Sequence, residues 1–495
     1  MALRLFNTLS GKIEEFQPLE DKVVKMYACG PTVYDYGHIG NFRTFIAVDI
    51  LRRFLRQSGY RLRHVMNITD VDDKIIRNAA KAGVSVNEYT RKYEKAFLED
   101  VDTLNIEQPE YVVRATENIS DMARFIEELV EKGFAYRAED GSYYFRIAKF
   151  PEYGKLSKKD FAGMEDGARV DVDEYEKDNA RDFALWKAPK PGEQSWDTVI
   201  GRGRPGWHIE CSVMSMKVLG ETLDLHAGGE DLIFPHHENE IAQSEAQTGK
   251  PFARFWFHAR FLLVEGEKMS KSLGNFYTLR DLILMGHKPS SIRYLLASNP
   301  YRTQLNFTFD GLQSAANSVE RLRNFKLRLM SEKFPAGEAG KMTALARQTM
   351  EAMRQALEDD LNTAQALGAM FEMVRGANAA GDAGQVMSGD VRALLEALEE
   401  FDEIFAVLKD DDAAKIERAL QWAKAEGRLQ DASPELAEVA KAAALSDSEI
   451  DTLVAERQQA RKSRDFARAD AIRLQLADAG IIVEDTKARV RWKRR

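Results

Sequence analysis

The sequence predicts an α/β protein: a parallel sheet carrying an α+β insertion, followed by an all-α C-terminal half. Three observations predict it. Val23 to Cys29, Phe42 to Gln57 and Leu62 to Ile68 follow one another as strand, helix and strand patterns, a βαβ unit whose crossover demands a parallel sheet. A second strand, glycine turn and helix pattern returns at LDLHAGGEDLIFPHHENEIAQSEA, residues 223–246. From Gln313 onward the apolar spacing is almost wholly helical.

The 495 residues are 44% hydrophobic and 30% charged, with a net charge of -9. These are ordinary values for several packed domains. The acidic balance argues against a surface that coats nucleic acid uniformly and leaves room for a local basic patch. The opening MALRLFNTLSGKIEEF lacks the charged-then-apolar signal pattern. No run approaches the roughly 20 apolar residues of a membrane span. With only two cysteines, a cytoplasmic protein with reduced thiols is the expectation.

The first strand ends in Cys29, followed at once by Gly30 and Pro31, so its thiol is expected at the carboxyl edge of the sheet. GPTVYDYGHIGN is a glycine-punctuated turn into a helix with Phe45, Val48, Leu51 and Leu55 along one stripe. His38, Gly40 and Asn41 stand at that helix's N-terminus, where free backbone N–H groups and the positive dipole end favour phosphate. There His38 could donate a hydrogen bond to a phosphoryl oxygen, with Gly37 and Gly40 admitting the backbone closely. A histidine that merely caps a turn is the plainer alternative. Residues 108–205 read as an insertion, with a helix from Glu117 to Lys132 stopped by Gly133 and a hairpin turning at Asp140 and Gly141. KAPKPGEQSWD and GRGRPG form its Gly/Pro-rich return.

In the second strand, turn and helix, Pro235 is expected to open the helix, which puts His236 and Glu240 on one face. His237, by the same count, falls with Ile241 and is set aside. Cys29, Cys211 in GWHIEC, one histidine and one carboxylate make an N/S/O set suited to zinc. The donors are scattered rather than spaced as CxxC, so two ordinary buried thiols stay open as a reading. GEKMSKSLGN, residues 266–275, sets Lys268 and Lys271 between Gly266 and Gly274, a segment able to close on a polyphosphate. A solvated basic loop is the alternative.

The helical half is broken at FPAGEAGK (334–341) and GANAAGDAGQVMSGD (376–390), and Val391, Leu394, Leu395 and Leu398 give a bundle stripe. Ser446 to Glu449 forms a capping-box pattern before another helix. Residues 456–495 hold twelve Lys/Arg against six Asp/Glu and end in RVRWKRR. The basic groups there suit phosphate, and Trp492 could stack on an unpaired base.

CGPTVYDYGHIGN, NITDVDDKI, GRPGWHIECS, FPHHENEIAQSEA and EKMSKSLGNF occur in this order. Together they resemble the class I aminoacyl-tRNA synthetases, more narrowly the cysteinyl-tRNA synthetase family, over nearly the full length. The resemblance implies a Rossmann-type catalytic domain in two parts, 1–107 and 206–258, around a connective domain at 108–205. A stem-contact region at 259–312 with the KMSKS loop, a helical bundle at 313–440 and an anticodon-binding domain at 441–495 follow. It implies one zinc ion on Cys29, Cys211, His236 and Glu240, and Mg²⁺ accompanying ATP. His38, Gly40, Asn41 and Lys271 would bind ATP, with His38, Asn41, Lys268 and Lys271 acting in catalysis, and Trp207 closing over the amino acid. The implied reaction joins L-cysteine to tRNA(Cys) through an adenylate, in a monomer without a membrane partner. Asn41 departs from the class pattern, which often has His; Ala227 in HAGGED and the run SWDTVIG also depart. Two rival functions are a cysteine ligase acting on an amino sugar in the mycothiol pathway, shorter in its relatives, and a non-catalytic RNA-binding protein with structural zinc.

Overall fold

A near-continuous apolar run such as VVKMYA is stable as a strand when both faces are covered, and it forms the middle strand of a buried parallel sheet. The computed structural model describes residues 3–159, 182–442, 447–463, 465–478, 481–485 and 490–494. They divide into two units, Met1–Phe276 with Arg293–Leu408, and Tyr277–Ile292 with Lys409–Arg495. The first unit opens with the hairpin β1 (Arg4–Asn7) and β2 (Lys12–Glu15), then β3 (Val23–Ala28), α1 (Ile39–Gln57) and β4 (Arg61–Ile68). α2 (Asp73–Ala82), α3 (Val86–Thr103), β5 (Tyr111–Arg114) and α4 (Ile119–Glu131) come next. β6 (Ala135–Arg137), β7 (Tyr143–Phe145), β8 (Phe183–Lys187), β9 (Trp196–Thr198) and β10 (Gly201–Pro205) follow. The chain continues through α5 (Trp207–Leu219), β11 (Leu223–Gly229), α6 (Glu238–Thr248) and β12 (Ala253–Ala259).

The central sheet has the order β12-β11-β3-β4-β5 with every pairing parallel. From β3 the chain adds β4 and β5 on one side, and later β11 and β12 on the other. The order therefore reverses between β3 and β11, and the crevice beyond the carboxyl ends of those two strands is where open α/β sheets bind ligands. Tyr111–Arg114, inside the span expected for the insertion, pairs with β4 as the edge strand of this sheet.

β6, β7, β8, β10 and β9 form a separate antiparallel sheet. Ile126 and Leu129 of α4 pack in one core with its Phe145, Phe183 and Trp186. GRGRPG, expected as a loop, supplies β10, because its backbone pairs with both β8 and β9.

Helices Phe309–Ser331, Lys341–Glu358, Thr363–Asp382 and Val391–Phe405 complete the first unit's helical part. The break expected to begin at Gly376 begins after Asp382 instead. Gly376 lies inside a helix, and a Cβ there would come 3.2 Å from the Leu345 side chain, so its small size serves helix packing. The second unit contains helices Leu279–Leu284, Asp412–Ala425, Pro434–Ala442, Asp447–Lys462 and Phe466–Asp478. The all-α expectation for the C-terminal half needs one correction, since Ile481–Asp485 and Val490–Arg494 pair as an antiparallel hairpin with Trp492 opposite Val483. The β-branched run Ile481 to Val483 favours a strand. Ser446, the expected cap, lies outside the described residues. Among the described residues, no helix is long and apolar enough to cross a membrane.

Gly30 sits where the loop after β3 crosses β4. A Cβ on it would lie 1.8 Å from the Asn67 carbonyl oxygen and 2.8 Å from Met66 Cγ. The expected result of Gly30→Ala is a loss of about 1–3 kcal/mol of stability from forced backbone movement, read as a lower thermal midpoint; an unchanged midpoint would show that the loop has room.

Candidate active site and metal centre

Four segments deliver their side chains to the crevice. Cys29 directly follows β3, Cys211 lies in the second turn of α5, and Glu240 lies in the first turn of α6. The fourth segment departs from the expected helix start. α6 begins at Glu238 rather than Pro235, and Ile233–His237 form a wide turn in which Phe234 is extended (φ -141°, ψ 130°). The expected pairing nonetheless forms, with His236 Nε2 3.0 Å from Glu240 Oε1. His237 is the correction. The wide turn brings its Nε2 to 3.3 Å from Cys29 Sγ and 4.0 Å from Glu240 Oε1, although α-helical counting pointed it elsewhere.

Two sets of donor atoms result, each within 4.8 Å of one another: Cys29, Cys211, His236 and Glu240, and Cys29, His226, His237 and Glu240. All six side chains are buried. This donor chemistry fits a borderline-soft divalent cation, and an outer layer orients it. His208 Nδ1 meets His236 Nδ1 at 2.9 Å, while His258 links His237 (2.8 Å) to the Thr8 hydroxyl (2.7 Å).

Charge is arranged to match. Burial alone would raise the Glu240 carboxyl, but His226 and His236 outweigh it and hold Glu240 at about 2. Burial would lower His236, yet Glu240 and then Cys211 bring it up to about 10. Burial would raise the Cys211 thiol, but its hydrogen bond with Cys29 and the charge of His236 bring it down to about 6. Burial, then Cys211, push Cys29 up. Trp207, 38% exposed, stacks on His236 with ring centroids 4.2 Å apart. Its indole is thus at the rim of the cluster rather than in the core.

Nine residues beyond Cys29, His38 caps α1. Its Nδ1 accepts the Asn41 N–H (3.2 Å), and Asn41 Oδ1 accepts the His38 N–H (3.2 Å), a reciprocal capping box that starts the helix at Ile39 rather than Phe42. The Asn41 side chain is therefore engaged with the backbone. Burial brings His38 down to about 4, so the ring is neutral at pH 7. With Nδ1 accepting, the proton belongs on Nε2, which is left as a donor. A Cβ on Gly40 would meet the His38 ring at 3.0 Å and Met269 Cε at 3.2 Å, so the 266–275 loop packs directly against this turn. Gly37 has the Phe42 ring where its Cβ would be, 2.8 Å away.

In that loop Lys268 is exposed on the short strand Glu267–Lys268. Lys271 Nζ bonds Asp35 Oδ2 at 2.7 Å and lies 5.0 Å from the Phe276 ring centroid, and that hydrogen bond raises its pKa. The Phe276 ring in turn meets the edge of His38 at 5.1 Å. His226, His237, His258 and Asp35 are the site residues that sequence reasoning missed. One signal was available for the first three, since five of the eight histidines fall between residues 208 and 258.

The model for the class I (C) tRNA synthetase catalytic domain matches residues 15–317, that for the DALR domain residues 352–409, and that for the cysteinyl-tRNA ligase anticodon binding domain residues 445–492. A cysteine–tRNA ligase of Koribacter versatilis is 70% identical over the whole of both chains. The chain belongs to the cysteine–tRNA ligase family. It is therefore an enzyme of the aminoacyl-tRNA synthetase class. A cysteine–tRNA ligase of Leptospira interrogans is 45% identical over 100% of this chain and 99% of its own. A solved methionyl-tRNA synthetase of Mycobacterium tuberculosis, in complex with methionyl-adenylate, superposes with a TM-score of 0.58 at 16% identity, covering 80% of this chain and 93% of that one. That likeness concerns the class I fold.

A divalent cation entering the set with His236 must displace that ring's proton, because an imidazolium has no lone pair to give. Adding Zn²⁺ at pH 7 is therefore expected to release protons, and lowering the pH weakens binding by at least about tenfold per unit, because more protons compete with the metal for His236 and, below about 6, Cys211 is reprotonated as well. Calorimetric titration at several pH values measures this, and a pH-independent affinity would exclude His236 as a ligand.

Proposed function

We propose that this chain ligates L-cysteine to tRNA(Cys) with ATP, through a cysteinyl-adenylate. The observation that carries this reading is one loop, from Cys29 to His38, joining a buried N/S/O donor cluster to a capped helix N-terminus beside Lys271. A carboxylate oxygen of cysteine attacks the α-phosphorus of ATP as the bond to pyrophosphate breaks. A terminal ribose hydroxyl of the tRNA then attacks the acyl carbon and releases AMP.

No protein nucleophile is needed. His38 donates Nε2–H to a phosphoryl oxygen, and the free N–H groups at the start of α1 add their dipole to the same charge. Lys271 leaves Asp35 for the phosphates, with Lys268 as the second cation of the mobile clamp and Mg²⁺ accompanying ATP. In this assignment Asn41 acts through the cap that fixes His38. Trp207, stacked on His236 at the rim, covers the amino acid. Zinc on Cys29, Cys211, His236 and Glu240 would supply a Lewis acid that takes the substrate sulfur as thiolate.

A pocket of shape alone separates such close side chains by only about 1–3 kcal/mol, so the soft donor set is what supports rejection of serine without an editing domain. The matched anticodon-binding domain and the basic final residues support tRNA, and not an amino sugar, as acceptor. The domain division is proposed with the insertion beginning after β5. We further propose a cytoplasmic monomer.

Lys271→Ala is expected to slow cysteine-dependent exchange between ATP and pyrophosphate by about 10²–10³-fold while leaving the dissociation constant for cysteine unchanged. Unaltered exchange would take Lys271 out of the chemistry. Cys211→Ser is expected to weaken zinc binding at the Cys29, Cys211, His236 and Glu240 set, read as a higher zinc dissociation constant. It should also reduce the cysteine-over-serine preference in the same assay toward the roughly 10–200-fold that shape alone provides; full discrimination in a zinc-free variant would sink the metal's role in selectivity.

A further inference from the structure

Glu240 faces two ways. Its Oε1 lies 3.0 Å from His236 Nε2 and 4.0 Å from His237 Nε2, while its Oε2 lies 2.7 Å from His226 Nε2. Cys29 is likewise shared, since its Sγ is 3.3 Å from His237 Nε2 and also belongs to the set completed by Cys211 and His236. The proposed substrate site uses only one of these sets.

The other set has the attributes of a metal site. His226, His237 and Glu240 are each fully shielded from solvent, at 0% exposure. Its donor atoms all lie within 4.8 Å of one another. Metal bonds of about 2.0–2.3 Å in a tetrahedron hold donors roughly 3.3–3.8 Å apart, so small movements would close the set on an ion. One imidazole is oriented from behind, as metal-bound imidazoles are, because His237 Nδ1 is 2.8 Å from His258 Nε2 and His258 Nδ1 is 2.7 Å from the Thr8 hydroxyl. His226 is fixed by stacking on Trp256, with centroids 4.5 Å apart at 17°. One thiol, two imidazoles and one carboxylate suit zinc, cobalt(II) or cadmium.

We propose that the cluster offers a borderline-soft divalent cation two overlapping positions: the substrate position, and a reserve position on Cys29, His226, His237 and Glu240. The two compete for Cys29 and Glu240. A cation in the reserve position leaves Cys211 and His236 free, and it has a place to stay when either is lost. This rests on the metal reading above only for the identity of the first position.

The test is a Co²⁺ titration of the full-length chain and of its Cys211→Ala/His236→Ala double variant. The double variant is expected to bind one Co²⁺ with a sulfur-to-metal charge-transfer band about half as intense as the parent's, because one thiolate remains of two. Adding His237→Ala should abolish that binding. A folded double variant that binds no Co²⁺ while the parent binds one overturns the reserve position alone; a parent that binds none overturns the metal reading as well. Binding unaffected by His237→Ala also overturns the reserve position. Should the double variant not fold, crystals of the parent chain grown in excess Co²⁺ decide the matter by anomalous scattering. A peak bonded to both His226 and His237 supports the proposal, and a peak on the Cys211 and His236 side alone defeats it.

Discussion

A carboxylate taken wholly out of water has to be compensated where it stands, and Glu240 sets that condition for the whole crevice. Burying such an ion costs several kcal/mol unless partners repay it on the spot. Here His226 from β11 and His236 from the wide turn do so, at 2.7 Å and 3.0 Å. The end of β11 must therefore adjoin the start of α6. Cys29 and Cys211 complete the cluster only because β3 lies next to β11 and α5 delivers its second turn to the same place.

The same geometry ties the soft centre to the end proposed to bind phosphate. The loop leaving β3 begins with Cys29 and ends with His38 at the N-cap of α1, so the two chemistries are separated by a short fixed path. They are also kept distinct in charge. In the proposed reading half-buried His38, neutral at pH 7, contributes direction, whereas positive charge comes from Lys271 on a loop packed against Gly40. The proposed thiolate and phosphate sites can thus sit side by side without the cations of one occupying the other.

The methionyl-tRNA synthetase that shares this fold does so at 16% identity. A scaffold held in common at that distance carries no substrate choice by itself. Five imidazoles and two thiols gathered around one carboxylate are a costly arrangement to bury. Its inner contacts, and the outer ones made through His208 and His258, support the selectivity proposed for it.

What the chain alone determined was local. The βαβ unit, the position of Cys29 at a strand's end, the cap region at His38 and the pairing of His236 with Glu240 follow from spacing and turn chemistry within a few residues. Tertiary structure decided the rest. Helical counting turned His237 away from the site, and only the extended Phe234 and the late start of α6 turn it back. His226 meets Glu240 from a different element, and Lys271 meets Asp35 across 236 residues, contacts that no periodicity encodes. The strand Tyr111–Arg114 joined the central sheet and Ile481–Asp485 found a hairpin partner for the same reason. Periodicity fixes which face of an element a residue occupies, but strand register and the shape of each turn fix which distant faces meet, and a metal or phosphate site is made of those meetings.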